Sequence, residues 1–382
     1  MKKHLLAAAV AAAVVSPAMA QNLTVYGLVD GGYGTSKHTQ GSASTSQTVV
    51  GGINSGNGSG TLSGSRLGFK ASEDLGAGNK IDVVLETGIY FTTGVDQKTA
   101  ASATAAASTN GTLFGNTRAG NLTYTSNLGQ IRLGLQNSLF KDITESNDPG
   151  AGASVTGAGS IYQAGAVTTR PGNAIYFFAP VPAGYTLAAG VMKSENPSNG
   201  TDKSNADGQT VAGSVSMAGF TVRAAWENYS TVYKSFDFAV VDTVYDLNAS
   251  GTSAGTYNDV TSQAIGVEYA LGSTTNLYVL NTNTQYDHAT KANTVEYKNN
   301  LFGLKHKMGV NTIMASLSRG YILRGAITSD IKQKGYQLIG TRELSKRTDV
   351  YATIGQTKWE VSTDATTDVK RTDTFVGIRH KF

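Results

Sequence analysis

Hydrophobic and polar residues alternate with a period of two over many short stretches of this chain, and no useful length follows a helical period. The clearest stretch is Lys80–Phe91, where Ile81, Val83, Leu85, Ile89 and Phe91 alternate with Lys80, Asp82, Glu86 and Tyr90. Successive side chains of a strand point to opposite faces, so each stretch has one apolar and one wetter face. Sixteen strands can be laid out this way: residues 23–36, 65–71, 80–91, 116–125, 129–136, 173–178, 185–193 and 210–216, then 220–230, 261–270, 275–286, 297–308, 311–319, 331–342, 348–361 and 372–382. The last places Thr374, Val376, Ile378, His380 and Phe382 on one face and Phe375, Gly377, Arg379 and Lys381 on the other. An unpaired strand edge is sticky. The natural partner for this one is the first strand, which would close a barrel.

The connections carry the same message. Seven are short turns, near 75–78, 127–129, 180–184, 217–219, 271–273, 309–310 and 345–347. Eight are longer and polar: 37–64, 93–115, 137–172, 194–209, 231–260, 287–293, 320–330 and 362–371. Short and long alternate throughout, which in an up-and-down barrel puts all turns on one rim and all loops on the other. Both chain ends then lie on the turn side. The third loop, Asn137 to Pro171, carries Asp142, Glu145 and Asp148, and loops of such length are usually functional or disordered.

Composition narrows the setting. Charged residues make up 15% of the chain, against roughly 25% in ordinary soluble domains. Forty-five glycines and eighteen tyrosines against six prolines favour a barrel over an α-rich enzyme. Lys2 and Lys3, the apolar run Leu5–Val15 and the small-residue site Ala18-Met19-Ala20 read as a secretory signal peptide over residues 1–20, leaving residues 21–382 as the barrel. Its loss would take two positive charges off the formal +4, a balance that does not point to nucleic acid. There is no cysteine, so no disulfide supports the fold in an oxidising compartment. Past residue 20 no apolar run approaches the about 20 residues of a membrane helix. An exported chain of this kind is either soluble or a β-barrel, whose strands conceal the membrane signal by alternation.

Five stretches carry a resemblance. They are Leu23-Thr-Val-Tyr-Gly-Leu-Val-Asp30; Ser65-Arg-Leu-Gly-Phe-Lys70 with Glu73-Asp-Leu-Gly76; Asn173-Ala-Ile-Tyr176 before a Pro-x-Pro-Ala-Gly turn; Leu344-Ser-Lys-Arg-Thr-Asp-Val-Tyr351; and Val376-Gly-Ile-Arg-His-Lys-Phe382. In these the chain resembles the Gram-negative general porins of the β-proteobacterial type, known from Neisseria and Burkholderia. It departs from their pattern at Gly134-Leu135-Gln136 and at Tyr176, where the family often carries arginine. The resemblance implies an all-β, 16-stranded antiparallel transmembrane β-barrel with short periplasmic turns, long extracellular loops and an inward-folded third loop. It also implies a homotrimer in the outer membrane, in contact with lipid and lipopolysaccharide, passing small hydrophilic solutes and ions and needing no cofactor. Phe382 would be the signal read by the barrel-assembly machinery.

A pore needs a constriction with charges facing water. Asp142, Glu145 and Asp148 on the third loop would face Arg66, Lys70, Arg118 and Arg132 on the early strands, giving a transverse field. The inward-facing tally is nearly balanced: Arg66, Lys70, Lys80, Arg132, Arg223, Lys305 and Lys307 against Asp30, Asp82, Glu86, Glu227, Glu268 and Asp349. The clustering of arginines on early strands leans weakly toward anions. Tyr33, Tyr90, Phe91, Trp226, Tyr269, Tyr351 and Phe382 lie near strand ends and fit an aromatic girdle. Of the five histidines, His306 and His380 fall on outward faces near turns, and no zinc spacing or nucleophile motif accompanies them. An enzyme is therefore not expected. A substrate-specific channel and a surface adhesin or structural barrel remain the alternatives, although no passenger domain is expected before Leu23 or after Phe382.

Overall fold

The computed structural model describes residues 22–50, 61–89, 117–151, 168–193, 207–237, 252–290, 294–324, 330–361 and 368–382. The expected leader and two of the expected girdle residues, Tyr90 and Phe91, lie outside these. The chain enters on β1 (Thr24–Gln40) and β2 (Ala43–Val50). The next strands are β3 (Arg66–Gly76), β4 (Asn79–Gly88), β5 (Thr117–Ser126) and β6 (Gly129–Leu135). A short helix, α1 (Leu139–Ser146), precedes β7 (Ala174–Phe178), β8 (Tyr185–Met192) and β9 (Asp207–Met217). Four long strands follow, β10 (Phe220–Asp237), β11 (Thr252–Leu271), β12 (Thr275–His288) and β13 (Val295–Met308). The chain finishes with β14 (Asn311–Arg324), β15 (Ile331–Glu343), β16 (Thr348–Val361) and β17 (Val369–Lys381).

Each strand pairs antiparallel with its neighbours, and β17 returns to β1 with Leu28 opposite Lys381 and Gln40 opposite Val369. The seam is completed at its turn end by Gly27 and Phe382, whose backbones exchange two hydrogen bonds of 3.1 Å. Sixteen strands make the wall. The seventeenth, β2, lies on the loop-end half of β1, while β3 takes the turn-end half. Residues 37–64 are thus not simply a loop. Their Ser/Thr/Gly composition hid a β-hairpin, because the side chains of its β2 arm are exposed on both faces and show no apolar alternation.

The outward face carries the apolar band that period two requires: Leu277 and Val279 on β12, Phe302 and Leu304 on β13, Leu317 on β14, Leu338 on β15 and Ile354 on β16 are all exposed. On the loop side the same face turns polar, with Asn281, Lys298, Lys334 and Lys358. At the turn rim, Phe220 and Tyr269 stack with ring centroids 4.3 Å apart. His306 and His380 share hydrogen bonds with Thr275 and Thr348 across their strand pairs, at 2.8 and 2.9 Å.

The inward face is not uniformly polar. Ala188, Met192, Ala212, Ala225, Tyr229, Ala264, Leu280 and Leu301 form a buried apolar core inside the barrel. The part of this core on β9 to β11 lies against α1. Leu139, Phe140, Ile143 and Thr144 recur at helical spacing, and this face packs onto β9, β10 and β11. The third loop is folded inward, and it contains a helix that the alternation pattern gave no sign of.

Candidate functional site

Local chemistry fixes where α1 begins. Ser138 is its N-cap: the hydroxyl accepts the Lys141 N–H at 3.1 Å. Glu227, buried on the lumen face of β10, accepts from the Phe140 N–H at 2.9 Å, from the Tyr229 hydroxyl at 3.1 Å and from the Ser138 hydroxyl. A carboxylate here satisfies N-terminal amides that the helix cannot, and it complements the helix dipole. Beyond α1 the loop follows the inner wall. Asn147 accepts from Arg223 Nη1 at 3.3 Å and its side chain covers Gly266. Pro149 sits on Gly303, where an added Cβ would fall 2.6 Å from its Cδ. Gly150 reaches β15 beside Gln337 and Ile339. The loop lies close because these wall positions have no side chain.

Opposite α1, on β3 to β5, Glu86 is flanked by Arg118, whose Nε lies 2.7 Å from Oε1, and by Arg66, 3.8 Å from Oε2. The Tyr26 hydroxyl donates to the same carboxylate at 3.0 Å. Arg170, on the returning limb of the third loop, has Arg118, Glu145, Glu86 and Arg66 as its main electrostatic neighbours. Burial, then the nearby Arg118, pulls its guanidinium down to about 10. Lys141 pairs with Glu145 one helical turn on. Burial lowers its ammonium despite that partner.

The seven expected constriction residues therefore separate into groups. Arg66, Arg118 and Glu145 come together around Glu86. Arg132 and Lys70 line a recess nearer the turn rim that adjoins this cluster, with Tyr26, Asp82, Glu86, Asn121, Thr123 and Gln130. Arg132 donates to Thr123 Oγ1 at 3.1 Å and stacks over Phe178 at 4.7 Å, and Lys70 lies over the Tyr26 ring at 4.9 Å. Asp142 is half-buried, takes the Asn137 amide at 2.8 Å and has Glu145, Lys141 and Arg132 as charged neighbours. Burial is the first cause that raises its carboxyl above the usual range. Asp148 turns toward the opposite wall and holds the Gly150 N–H at 3.0 Å. It shapes the loop.

Two expectations are corrected. Tyr351 was placed in the outer girdle, but it shares parity with Asp349 and is buried in the lumen, donating to Asp30 at 2.6 Å. The near-balanced tally of inward charges also loses its meaning, because much of it is paired locally. Arg223 lies 2.7 Å from Glu268, Lys80 lies 2.8 Å from Asp82, and Asp349 is bonded by Arg379 at 3.0 Å. Sequence reasoning missed Arg170, Lys141 and the anchoring part of Glu227. The signal available was the Ser138-Leu-Phe-Lys141 start, a hydroxyl N-cap before two apolar residues.

A closed sixteen-stranded barrel with a loop folded into a charged lumen is the architecture of a channel. The family model for Gram-negative porins matches residues 7–360. The chain belongs to that family. Among solved structures, this porin is similar to the anion-selective porin from Comamonas acidovorans, at 20% identity and TM-score 0.69 over 95% of this chain and 100% of that one. It is also similar to OmpT of Vibrio cholerae in its trimer form, at 14% identity and TM-score 0.62 over 95% and 100%. Salmonella typhi OmpF follows at 15% identity and TM-score 0.58, over 94% and 97%. At such identities the likeness establishes the fold. No curated protein matches this chain. The porin is an outer-membrane channel and not an enzyme.

Proposed function

We propose that this porin passes small hydrophilic solutes and ions by diffusion through a constriction between α1 and the β3–β5 wall, with a weak preference for anions. One observation carries the reading: Arg66, Arg118, Arg170 and Lys141 gather around two carboxylates, Glu86 and Glu145. Inside a narrow, low-dielectric passage an excess of fixed positive charge favours anions. The similarity in fold to an anion-selective porin from Comamonas acidovorans points the same way. Reversal potentials across a planar bilayer under a salt gradient test it. The native channel should favour chloride, and Arg66→Ala with Arg118→Ala should shift the preference several-fold toward cations. A cation preference in the native channel, or no shift in the double variant, would end the reading.

Association as a homotrimer is supported by strand length. β6 has seven residues and β7 five. At roughly 3.4 Å per residue they reach about 24 and 17 Å, less than the roughly 30 Å of a hydrocarbon core. This low sector needs protein rather than lipid against it, and OmpT of Vibrio cholerae has a trimer form. Unheated samples in mild detergent should migrate as a trimer that heating dissociates. A monomer band alone would count against this.

The partners proposed beyond this follow from position. The outward lysines at the loop end, including Lys334 and Lys358, would meet lipopolysaccharide phosphates, and Lys334→Glu with Lys358→Glu should lower the lipopolysaccharide retained on purification. Phe382, bonded to Gly27 at the seam, would be the residue read during assembly. Its deletion should reduce the amount of barrel inserted and leave conductance per channel unchanged. Cleavage after Ala20 should make Gln21 the first residue found on amino-terminal sequencing.

A further inference from the structure

The first long loop returns to the wall through residues 61–65, and this return lies inside the barrel. Asp30, on the lumen face of β1, accepts the Leu62 N–H at 2.8 Å, the Ser63 N–H at 2.6 Å and the Tyr351 hydroxyl at 2.6 Å. The Asp30 amide donates to Ser65 Oγ at 3.0 Å. Arg379, gripping both oxygens of Asp349 at 3.0 and 3.2 Å, extends Nη1 to the Ser63 hydroxyl at 3.0 Å. Leu62 is buried among the inward side chains Ile339, Tyr351 and Met314. Charge-assisted hydrogen bonds are roughly twice as strong as neutral ones, so a buried carboxylate with three donors fixes this Gly/Ser-rich segment on one path.

Ile339 has a second neighbour. Its Cδ1 lies 3.4 Å from where a Cβ of Gly150 would stand, in the third loop just beyond α1. One side chain thus lies between the returning first loop and the third loop. The start of the third loop is clamped by Glu227, while the stretch after α1 bends over Asp148 and rests on Gly303, Gln337 and Ile339.

We propose that Asp30 is a positioning residue of the channel: it fixes Thr61–Ser65 as a second inner wall, and through Leu62 and Ile339 this wall buttresses the Asp148–Gly150 stretch of the third loop. The inference rests on the reading of the third loop as the constriction. The lumen is then bounded by two loops with separate carboxylate anchors, Glu227 for one and Asp30 for the other.

Single-channel recording on reconstituted full-length porin tests this with Asp30→Asn and Leu62→Ala. Both should raise open-channel noise several-fold and admit larger neutral sugars, and Leu62→Ala, which removes no charge, should do so at unchanged ion preference because Arg66 and Arg118 are untouched. The chain has no cysteine, so Leu62→Cys with Ile339→Cys can be added to Asp30→Asn and joined by a short thiol linker. Linking should restore the quiet native channel. A residue that serves barrel folding alone would give fewer channels of native conductance and noise. That result, or native behaviour in Leu62→Ala, would overturn the proposal. The Arg66→Ala, Arg118→Ala variant is recorded alongside. If it shifts selectivity while the Asp30 and Leu62 variants are silent, the buttress is wrong and the constriction stands. If it is silent while Asp30→Asn is noisy, the charge reading falls and the buttress stands.

Discussion

The lumen has two unlike halves. Along β3 to β6 the inward side chains are Arg66, Lys70, Asp82, Glu86, Arg118 and Arg132, part-exposed and facing the passage. Along β8 to β12 they include Ala188, Met192, Ala212, Ala225, Tyr229, Ala264 and Leu280, buried in one cluster with Leu139 and Phe140 of α1. Both halves obey the same alternation. The difference teaches that parity decides which face a side chain takes, while the third loop decides whether that face is wet. Where the wall is charged the passage stays open. Where it is apolar, with glycines at 266 and 303 giving room, a loop packs on it and the hydrophobic effect holds the loop in the barrel.

Breaking the packed half should have the largest effect. Phe140 is buried among Tyr176, Met192 and Tyr229, so Phe140→Ala should cost α1 docking about 3–5 kcal/mol. The expected outcome is a several-fold rise in conductance and cleavage of the folded porin by trypsin after Lys141. A protected loop with native conductance would mean that packing does not hold it. Glu227→Ala attacks the same half through hydrogen bonds alone, at on the order of 2–3 kcal/mol. It should give flickering between native and larger currents rather than a permanent increase. Steady native current would show that the apolar face suffices.

The charged half is sharpened by smaller effects. Arg132 is engaged with Thr123 and the Phe178 ring, whereas Arg118 pairs with Glu86 directly. Arg132→Ala should therefore move the reversal potential clearly less than Arg118→Ala; an equal shift would merge the two groups into one site. The smallest expected effect is with pH. The Asp142 carboxyl is raised above the usual range, chiefly by burial, so acidification neutralises it before an ordinary aspartate. Losing a negative charge leaves the passage more positive, and anion preference should rise as pH falls toward that raised pKa. Asp142→Asn should show the higher preference at neutral pH and lose that part of the pH response.

The strands were legible because their cause is local. Ile81, Val83 and Leu85 face lipid in the structure for the reason their alternation suggests, and the Leu271–Ser273 and Gly309–Val310 turns join neighbouring strands as read. The site was legible only in part. Arg66, Arg118 and Glu145 could be named from position and resemblance, whereas Arg170 could not, since nothing in a Gly/Thr-rich loop says which limb returns beside Arg118.

What the sequence by itself determined is the barrel: strand number, inward and outward faces, the rim on which the turns lie and the seam between Phe382 and Gly27. What only the tertiary structure decided is the inside. An eight-residue helix is too short to be stable alone, so α1 exists because Glu227 and an apolar wall receive it. The inward path of residues 61–65 likewise depends on partners hundreds of residues away, since Leu62 packs on Ile339 and Tyr351 and Asp30 holds Tyr351. Alternation records which side of a strand meets lipid. It carries no record of what fills the barrel, because that is set by contacts between segments whose own sequences favour no single conformation.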